Sequence, residues 1–426
     1  MNTPVPEYLA DLLRNCKAFE GGQLATYIPE LASADPNKLA VALTTLDGII
    51  YTAGDDEYEF SIQSISKAFA YAFVIEELGS TVVKEKVGVE PSGEAFNEIS
   101  LDQTEERAKP KNPMINSGAI TVHSLIPKTT RADRAETIRQ FFSKLAGRDL
   151  SFDLSIYESE KDTAFRNLSI GYSLRNLDVL ESDPVEIVES YIKQCSINVT
   201  VKDLANMTSV LVNDGVLPTT GERILSRQTV RQVLTVMTTC GMYNAAGNWL
   251  ANVGIPAKSG VSGGIIGVLP GQVGLAVFAP KLDQYGNSVR GIDIMQQMSN
   301  DMGLHLLEGI PSSRAIINDQ DIKEVEADVK VYKLHGVLQF SEAERLLRKL
   351  QEEKRGSNSI VFDLSHISLV NNVGRRMLLD GIDRLRADGH RVALIDPEQI
   401  LPNAKTNLDF EPKIYHEIQE ISKEKA

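Results

Sequence analysis

The chain has 426 residues, 42% of them hydrophobic and 24% charged, with a formal charge of -14 and a pI of about 5.1. That composition supports packed cores and excludes disorder as the default state. The acidic balance argues against a broad nucleic-acid or anionic-membrane surface, since both need clustered Lys and Arg, and it leaves small-molecule enzymes open.

The length predicts two or three domains. Met1 to Asn15 contains Glu7 and Asp11 and no apolar core segment, so no secretory leader is expected there. Leu39 to Gly54 reads as a β-hairpin around Asp47-Gly48, a strong turn dipeptide. Ile65, Phe69, Phe73 and Ile75-to-Leu78 have helical spacing, as do Leu204, Met207 and Leu211 ahead of a stop at Gly215. Gly264 to Pro280 reads as a second hairpin, turning at Pro270-Gly271. Strands at both ends of a domain with helices between them predict an α+β fold, in which the two hairpins join in one antiparallel sheet on a helical cluster.

From Glu308 to Asp321 the pattern breaks, and Gly309, Pro311, Ser312 and Ser313 start a linker. Beyond it the expected elements are a strand over Val329–Leu338, a helix capped by Ser341 with Glu344 completing a capping box, and a short strand over Ile360–Leu364. A helix over Val373–Asp388 ending at Gly389 and a strand over Arg391–Ile395 follow. This alternation predicts a small α/β domain of about 100 residues. The expected layout is a catalytic domain over 1–308, a linker over 309–326 and the small domain over 327–426. No apolar run approaches the roughly 20 residues of a membrane span.

The three cysteines, Cys16, Cys195 and Cys240, are far apart and form no C-x-x-C, which predicts a reduced, cytoplasmic chain. The six histidines are scattered without H-E-x-x-H or a Cys/His cluster, so neither a metal nor a cofactor is expected.

Two motifs carry chemistry. Ser64-Ile65-Ser66-Lys67 is S-x-x-K, which on a helix puts serine and lysine on one face. Lys67 can then take the Ser64 proton if burial lowers its pKa. A serine near the start of the helix running toward Leu78 also has a free backbone N–H for an oxyanion. Lys258-Ser259-Gly260 follows late in the chain, just before the second hairpin. S-x-x-K then K-[ST]-G is the order of the penicillin-recognising serine enzymes, but S-D-N is missing and β-lactam chemistry is not supported. Gly260-Val261-Ser262-Gly263-Gly264 matches the nucleophile elbow G-x-S-x-G, which needs a helix after it. A β-rich run follows instead, so Ser262 reads as a turn residue.

Six segments in order resemble the serine-dependent glutaminases. They are Tyr27-Ile28-Pro29-Glu30-Leu31, Ser61 to Lys67, Gly88 to Gly93, Lys111 to Ala119, Cys240-Gly241-Met242-Tyr243 and Pro256 to Gly264, within about residues 8 to 305. The resemblance implies a β-lactamase/transpeptidase-like fold and hydrolysis of L-glutamine to L-glutamate and ammonia. It implies Ser64 as nucleophile, Lys67 as its proton partner, Tyr243 and Tyr191 as active-site tyrosines, and Val261 as the second oxyanion N–H. It also implies Tyr27, Asn116, Glu160 and Asn167 as substrate-holding residues. By their neighbours alone, Glu160 would be a solvated face, Tyr191 a core tyrosine in an amphipathic helix over Val185–Ile197, and Asn116 a turn residue. Ser117 stands where the family carries alanine.

Ile360 to Ser365 and Val370-Asn371-Asn372-Val373-Gly374 resemble the STAS family, over about residues 327 to 425. Asn371 and Asn372 occupy the places of an aspartate and a phosphorylatable serine in its antagonist members, so no kinase switch is expected. The expected partners are L-glutamine, further copies of the chain, and an unidentified protein or ligand for the STAS unit.

Overall fold

The computed structural model describes residues 3–16, 21–26, 28–93, 101–102, 108–127, 133–308, 322–326, 329–351, 353, 356 and 358–423. They form two compact units, Leu9–Gln297 in one and Met1–Tyr8 with Met298–Ala426 in the other. Of the expected linker, 309–326, residues 309–321 lie outside the described residues, and Ile322–Glu326 is instead a strand, because it pairs with Val329–Leu338.

In the larger unit the two predicted hairpins are present. Strand β1 (Ala40–Thr45) turns into β2 (Ile50–Gly54) through Leu46 to Ile49, with the Gly48 N–H donating to the Thr45 carbonyl. Strands β3 (Ala257–Ser259), β4 (Gly264–Leu269) and β5 (Val273–Phe278) complete a five-stranded antiparallel sheet in the order β2-β1-β5-β4-β3. The N-terminal hairpin joins the C-terminal one along β1 and β5, with Ala40 opposite Phe278 and Thr45 opposite Val273. Every residue of β1, β4 and β5 is buried, so these strands are nearly continuous in apolar residues rather than alternating.

The helices that matter for the site lie between the hairpins. They are α1 (Ser66–Leu78), α2 (Asn116–Ser124), α3 (Leu154–Asp162), α4 (Phe165–Asn176), α5 (Pro184–Cys195) and α6 (Val201–Val212). Their starts follow from sequence. Asp153 and Asp183 accept from the first free N–H groups of α3 and α5, and Thr200 with Asp203 forms a capping box on α6. Phe69, Phe142, Leu204 and Val233 pack in one core with Ile266 and Ala276 of the sheet.

The smaller unit holds a second sheet, ordered β6 (Ile322–Glu326), β7 (Val329–Leu338), β8 (Ser359–Val370), β9 (Arg391–Ile395) and β10 (Lys413–Tyr415). Only the β6–β7 pair is antiparallel. Helices α7 (Phe340–Gln351) and α8 (Asn372–Ala387) supply the parallel crossovers. Two expectations are corrected. Helix α7 begins at Phe340, ahead of Ser341, and Glu344 is buried beside Arg348 one turn on, 2.8 Å from its Nε. Strand β8 continues well past Leu364, because pairing with β7 carries it to Val370. Asn371 caps α8, accepting from Gly374 N at 2.7 Å.

Candidate active site

Ser64 lies on a 3-10 turn, Gln63–Ile65, that runs directly into α1. The helix therefore starts just after the nucleophile candidate rather than before it, and Lys67 still follows one turn later. The residue ahead of Ser64, Gln63, has φ 48°, and Tyr243 has φ 53°. Left-handed backbone at residues with bulky side chains costs on the order of 1–3 kcal/mol and persists only where its surroundings impose it. Both residues line cavities beside the Ser64 turn.

Ser64 opens into a cavity of about 190 Å³, whose walls include Gln63, Asn116, Glu160, Asn167 and Tyr191. Lys67 is fully enclosed. Its Nζ donates to Asn116 Oδ1 at 2.7 Å and to the Met114 carbonyl at 3.2 Å, and burial brings its pKa down to about 8. A neutral amine has two N–H groups and one lone pair, so these two acceptors can hold both N–H groups and leave the lone pair for a hydroxyl proton. Asn116, the first residue of α2, passes the contact on, donating from Nδ2 to Asn167 Oδ1 on α4 at 3.0 Å.

Glu160 ends up as a half-buried carboxylate at the cavity wall. It accepts from Gln63 Nε2 at 3.2 Å, and burial pushes its pKa up to about 7 while the Gln63 bond opposes the rise and Glu30 adds to it. On the other side of Ser64, the Tyr243 hydroxyl is hydrogen-bonded to Ser64 and also donates to the Ser259 carbonyl at 3.0 Å. Burial raises the Tyr243 phenol, and the Ser64 contact works against that rise. Lys258 on β3 is fully buried, donates to the Ser259 carbonyl at 2.6 Å and the Gly241 carbonyl at 3.0 Å, and has its Nζ 4.2 Å from the centre of the Tyr243 ring. Burial, then repulsion from Lys67, holds its pKa well below the usual lysine range.

Val261 follows β3 in the turn to β4 and lines the same cavity as Ser64. Among the described residues, its N–H donates to no protein acceptor. Ser262 sits in that turn, with β4 rather than a helix after it, so the elbow motif has no elbow. Tyr27 lies outside the described residues. The other eight predicted site residues, Ser64, Lys67, Asn116, Glu160, Asn167, Tyr191, Tyr243 and Val261, gather around this cavity or bond to its walls.

Three further residues belong to the arrangement without having been singled out as site residues. Lys258 was visible in its K-S-G motif, yet a strand lysine carries no local sign of complete burial. Gln63 sits inside the S-x-x-K segment and could have been found from its place beside the serine. Cys195 follows Tyr191 by one helical turn and so shares its face. Two motif glycines have steric reasons. A Cβ on Gly118 would collide with the Asn112 carbonyl, and one on Gly241 with the Ala257 carbonyl. Both are places where a helix terminus approaches the chain that carries site residues.

Known proteins show the same architecture. The profile of the Glutaminase family matches residues 22–307, and that of the STAS domain matches 322–421. A glutaminase of Corynebacterium efficiens is 47% identical over 407 residues, spanning 95% of each chain. This chain belongs to the glutaminase family. The crystal structure of Mglu superposes with a TM-score of 0.71 at 45% identity, covering 94% of this chain and 100% of that one. A probable glutaminase from Bacillus subtilis, complexed with 6-diazo-5-oxo-L-norleucine, superposes with a TM-score of 0.65 at 32% identity over 71% of this chain and 96% of its own. The larger unit is thus a glutaminase unit of β-lactamase-like α+β fold, and the chain also carries a STAS domain. Among the described residues, no helix is long and apolar enough to cross a membrane, and no group of three His, Cys, Asp or Glu side chains gathers as a metal site.

Proposed function

We propose that this glutaminase hydrolyses L-glutamine to L-glutamate and ammonia through an acyl-enzyme on Ser64. The observation that carries the reading is one small cavity with a hydroxyl contacted by Tyr243 at one wall and a half-buried carboxylate, Glu160, at another. The α-ammonium pairs with Glu160, the α-carboxylate takes Asn116, Asn167 and Tyr27 donors, and the side-chain amide reaches Ser64.

Ser64 Oγ attacks the amide carbon as its proton passes to Lys67. The negative oxygen is received by the Ser64 and Val261 N–H groups. The C–N bond then breaks, the nitrogen takes up a proton and leaves as ammonia, and Ser64 holds a glutamyl ester. Water adds to that ester, its proton passing by way of the same Lys67 and Tyr243 groups to Ser64 Oγ as the ester C–O bond breaks, and glutamate leaves. Lys258, whose pKa burial holds well below the usual lysine range, packs against the Tyr243 ring.

We extend the proposal to a cytoplasmic chain with catalytic residues wholly inside 1–308, joined by a linker ending before Ile322 to an independently folding STAS unit that binds an unidentified protein or ligand. The three buried free thiols support a reducing compartment. Phe165 and Tyr172, exposed to 78% and 56% on α4, support self-association, which sedimentation tests. For the chemistry, Ser64→Ala should fold and lose turnover, and a diazo-ketone analogue of glutamine should label Ser64 in the unaltered chain. A label on Ser262, or turnover of esters or a chromogenic β-lactam without ammonia release from glutamine, would overturn the assignment.

A further inference from the structure

Strand β3 is an edge of the larger sheet, paired to β4 alone. Its outer side meets the turn Gly241-Met242-Tyr243 instead of another strand, and the Ser259 N–H donates to the Gly241 carbonyl at 3.3 Å. Lys258 fastens this junction. Its Nζ donates to the Gly241 carbonyl at 3.0 Å and to the Ser259 carbonyl at 2.6 Å, and it lies 4.2 Å from the centre of the Tyr243 ring. The Tyr243 hydroxyl donates to the same Ser259 carbonyl at 3.0 Å. Lys258 therefore holds both the backbone two residues ahead of Tyr243 and the acceptor of its hydroxyl.

The position is a costly one for a lysine. Lys258 has no solvent exposure. Among the described residues it lines neither the Ser64 cavity nor the cavity of about 410 Å³ that Tyr243 lines. Burying an amine there is less favourable than burying an apolar chain of the same length. Neither carbonyl depends on it, since Gly241 O also accepts from the Ser259 N–H and Ser259 O from the Tyr243 hydroxyl. Stability alone does not account for the amine, but its neighbours in the site do. Gly260, the next residue, packs against the turn that carries Ser64, where a Cβ would stand 3.1 Å from the Ile62 carbonyl oxygen. Tyr243 shares a cavity wall with Met114, whose carbonyl accepts from Lys67 Nζ at 3.2 Å.

We infer that Lys258 is a positioning residue, which touches no substrate and, by clamping Gly241 to Ser259, holds the Tyr243 hydroxyl in place beside the Ser64–Lys67 pair. The inference rests on the acyl-enzyme reading of the cavity. It gives the lysine of the K-S-G motif a task in the frame of the site, outside the cavity.

The test is a double-mutant cycle on the full-length chain, read as glutamate release and as melting temperature. Lys258→Met keeps the length of the side chain and removes the amine. It should melt no lower than the unaltered chain, yet lose about ten- to a hundredfold in kcat/KM, mostly in kcat, the scale of a misplaced group at a reacting centre. Tyr243→Phe keeps the ring and removes the hydroxyl. In that background Lys258→Met should cost less than about twofold more, because no hydroxyl is left to hold. Lys258→Leu carries the cycle if Lys258→Met does not fold. A lower melting temperature, the same fold loss in both backgrounds, or full turnover by Lys258→Met would each overturn the inference. Full turnover by Tyr243→Phe would instead remove Tyr243 from the proposed mechanism, and this inference with it.

Discussion

Glu160 must be ionised to hold an ammonium, and burial has raised its pKa to about 7. Lys67 must be neutral to accept the Ser64 proton, and burial has lowered it to about 8. Both requirements are met as pH rises, so kcat/KM should climb through that range and level above it in a steady-state pH series. Glu160→Gln should cut kcat/KM about ten- to a hundredfold, for the loss of one charged hydrogen bond at ~1.5–3 kcal/mol, and should remove the lower limb of the profile. Unchanged kcat/KM would mean that Glu160 does not meet the substrate. Gln63→Leu deletes a bond that lowers the Glu160 pKa, so its deficit should be larger at pH 7 than at pH 9. The stability sign is opposite. Glu160 holds its proton in the folded state between the ordinary value of 4.5 and about 7, so its contribution to stability falls as pH rises through that window. Melting curves of Glu160→Gln should lack this component. At this scale the Ser64–Lys67 pair was legible because one spacing makes one helical face. Glu160 was not, because the charged run Tyr157 to Asp162 reads as solvent-facing and its partner, Gln63, comes from a distant segment.

The helix starts and turns around the cavity leave little room for added atoms. Gly118→Ala places a methyl group against the Asn112 carbonyl. Asn112 in turn holds the Met114 and Ile115 N–H groups at 3.0 and 3.2 Å. The substitution should cost about 1–3 kcal/mol or more, seen as a lower melting temperature. Activity should fall further than stability, since Asn116 and the Met114 carbonyl both contact Lys67. A variant with full turnover and unchanged melting would refute this account of α2. Much of the element pattern could be read from sequence: both hairpins, α1, α6 with its following Gly215, and the helix stop at Gly389 all rest on turn residues and apolar periodicity. What escaped was set by partners. The length of β8 comes from pairing with β7, and the inward turn of Glu344 from Arg348 on the same face. The left-handed backbone at Gln63 and Tyr243 has no signature at all in residues that ordinarily avoid it.

Across the whole molecule, every motif tied to the cavity precedes Glu308. A chain ending at Pro311 should therefore stay folded and retain glutaminase activity, measured by glutamate release, and a separate 322–426 fragment should fold by circular dichroism. A folded but inactive truncated chain would mean that the STAS unit supports the catalytic one. The joining of β1 to β5 has a different consequence, for the order in which the protein is made. Ala40 and Phe278 are neighbours in the sheet yet stand near opposite ends of the glutaminase unit. Closing so long a loop is entropically costly and makes such pairings late and slow. During synthesis Ser64 leaves the ribosome long before β3, Lys258 and the oxyanion turn exist, and until β5 arrives the edge of β1 has no partner. The N-terminal hairpin then exposes one open apolar edge, the condition in which proteins aggregate. Its single tryptophan, Trp249, is buried and donates to the Ile255 carbonyl at 2.7 Å just before β3. In refolding from denaturant, burial of that fluorophore and the return of glutaminase activity should share one slow phase, and yield should fall as protein concentration rises.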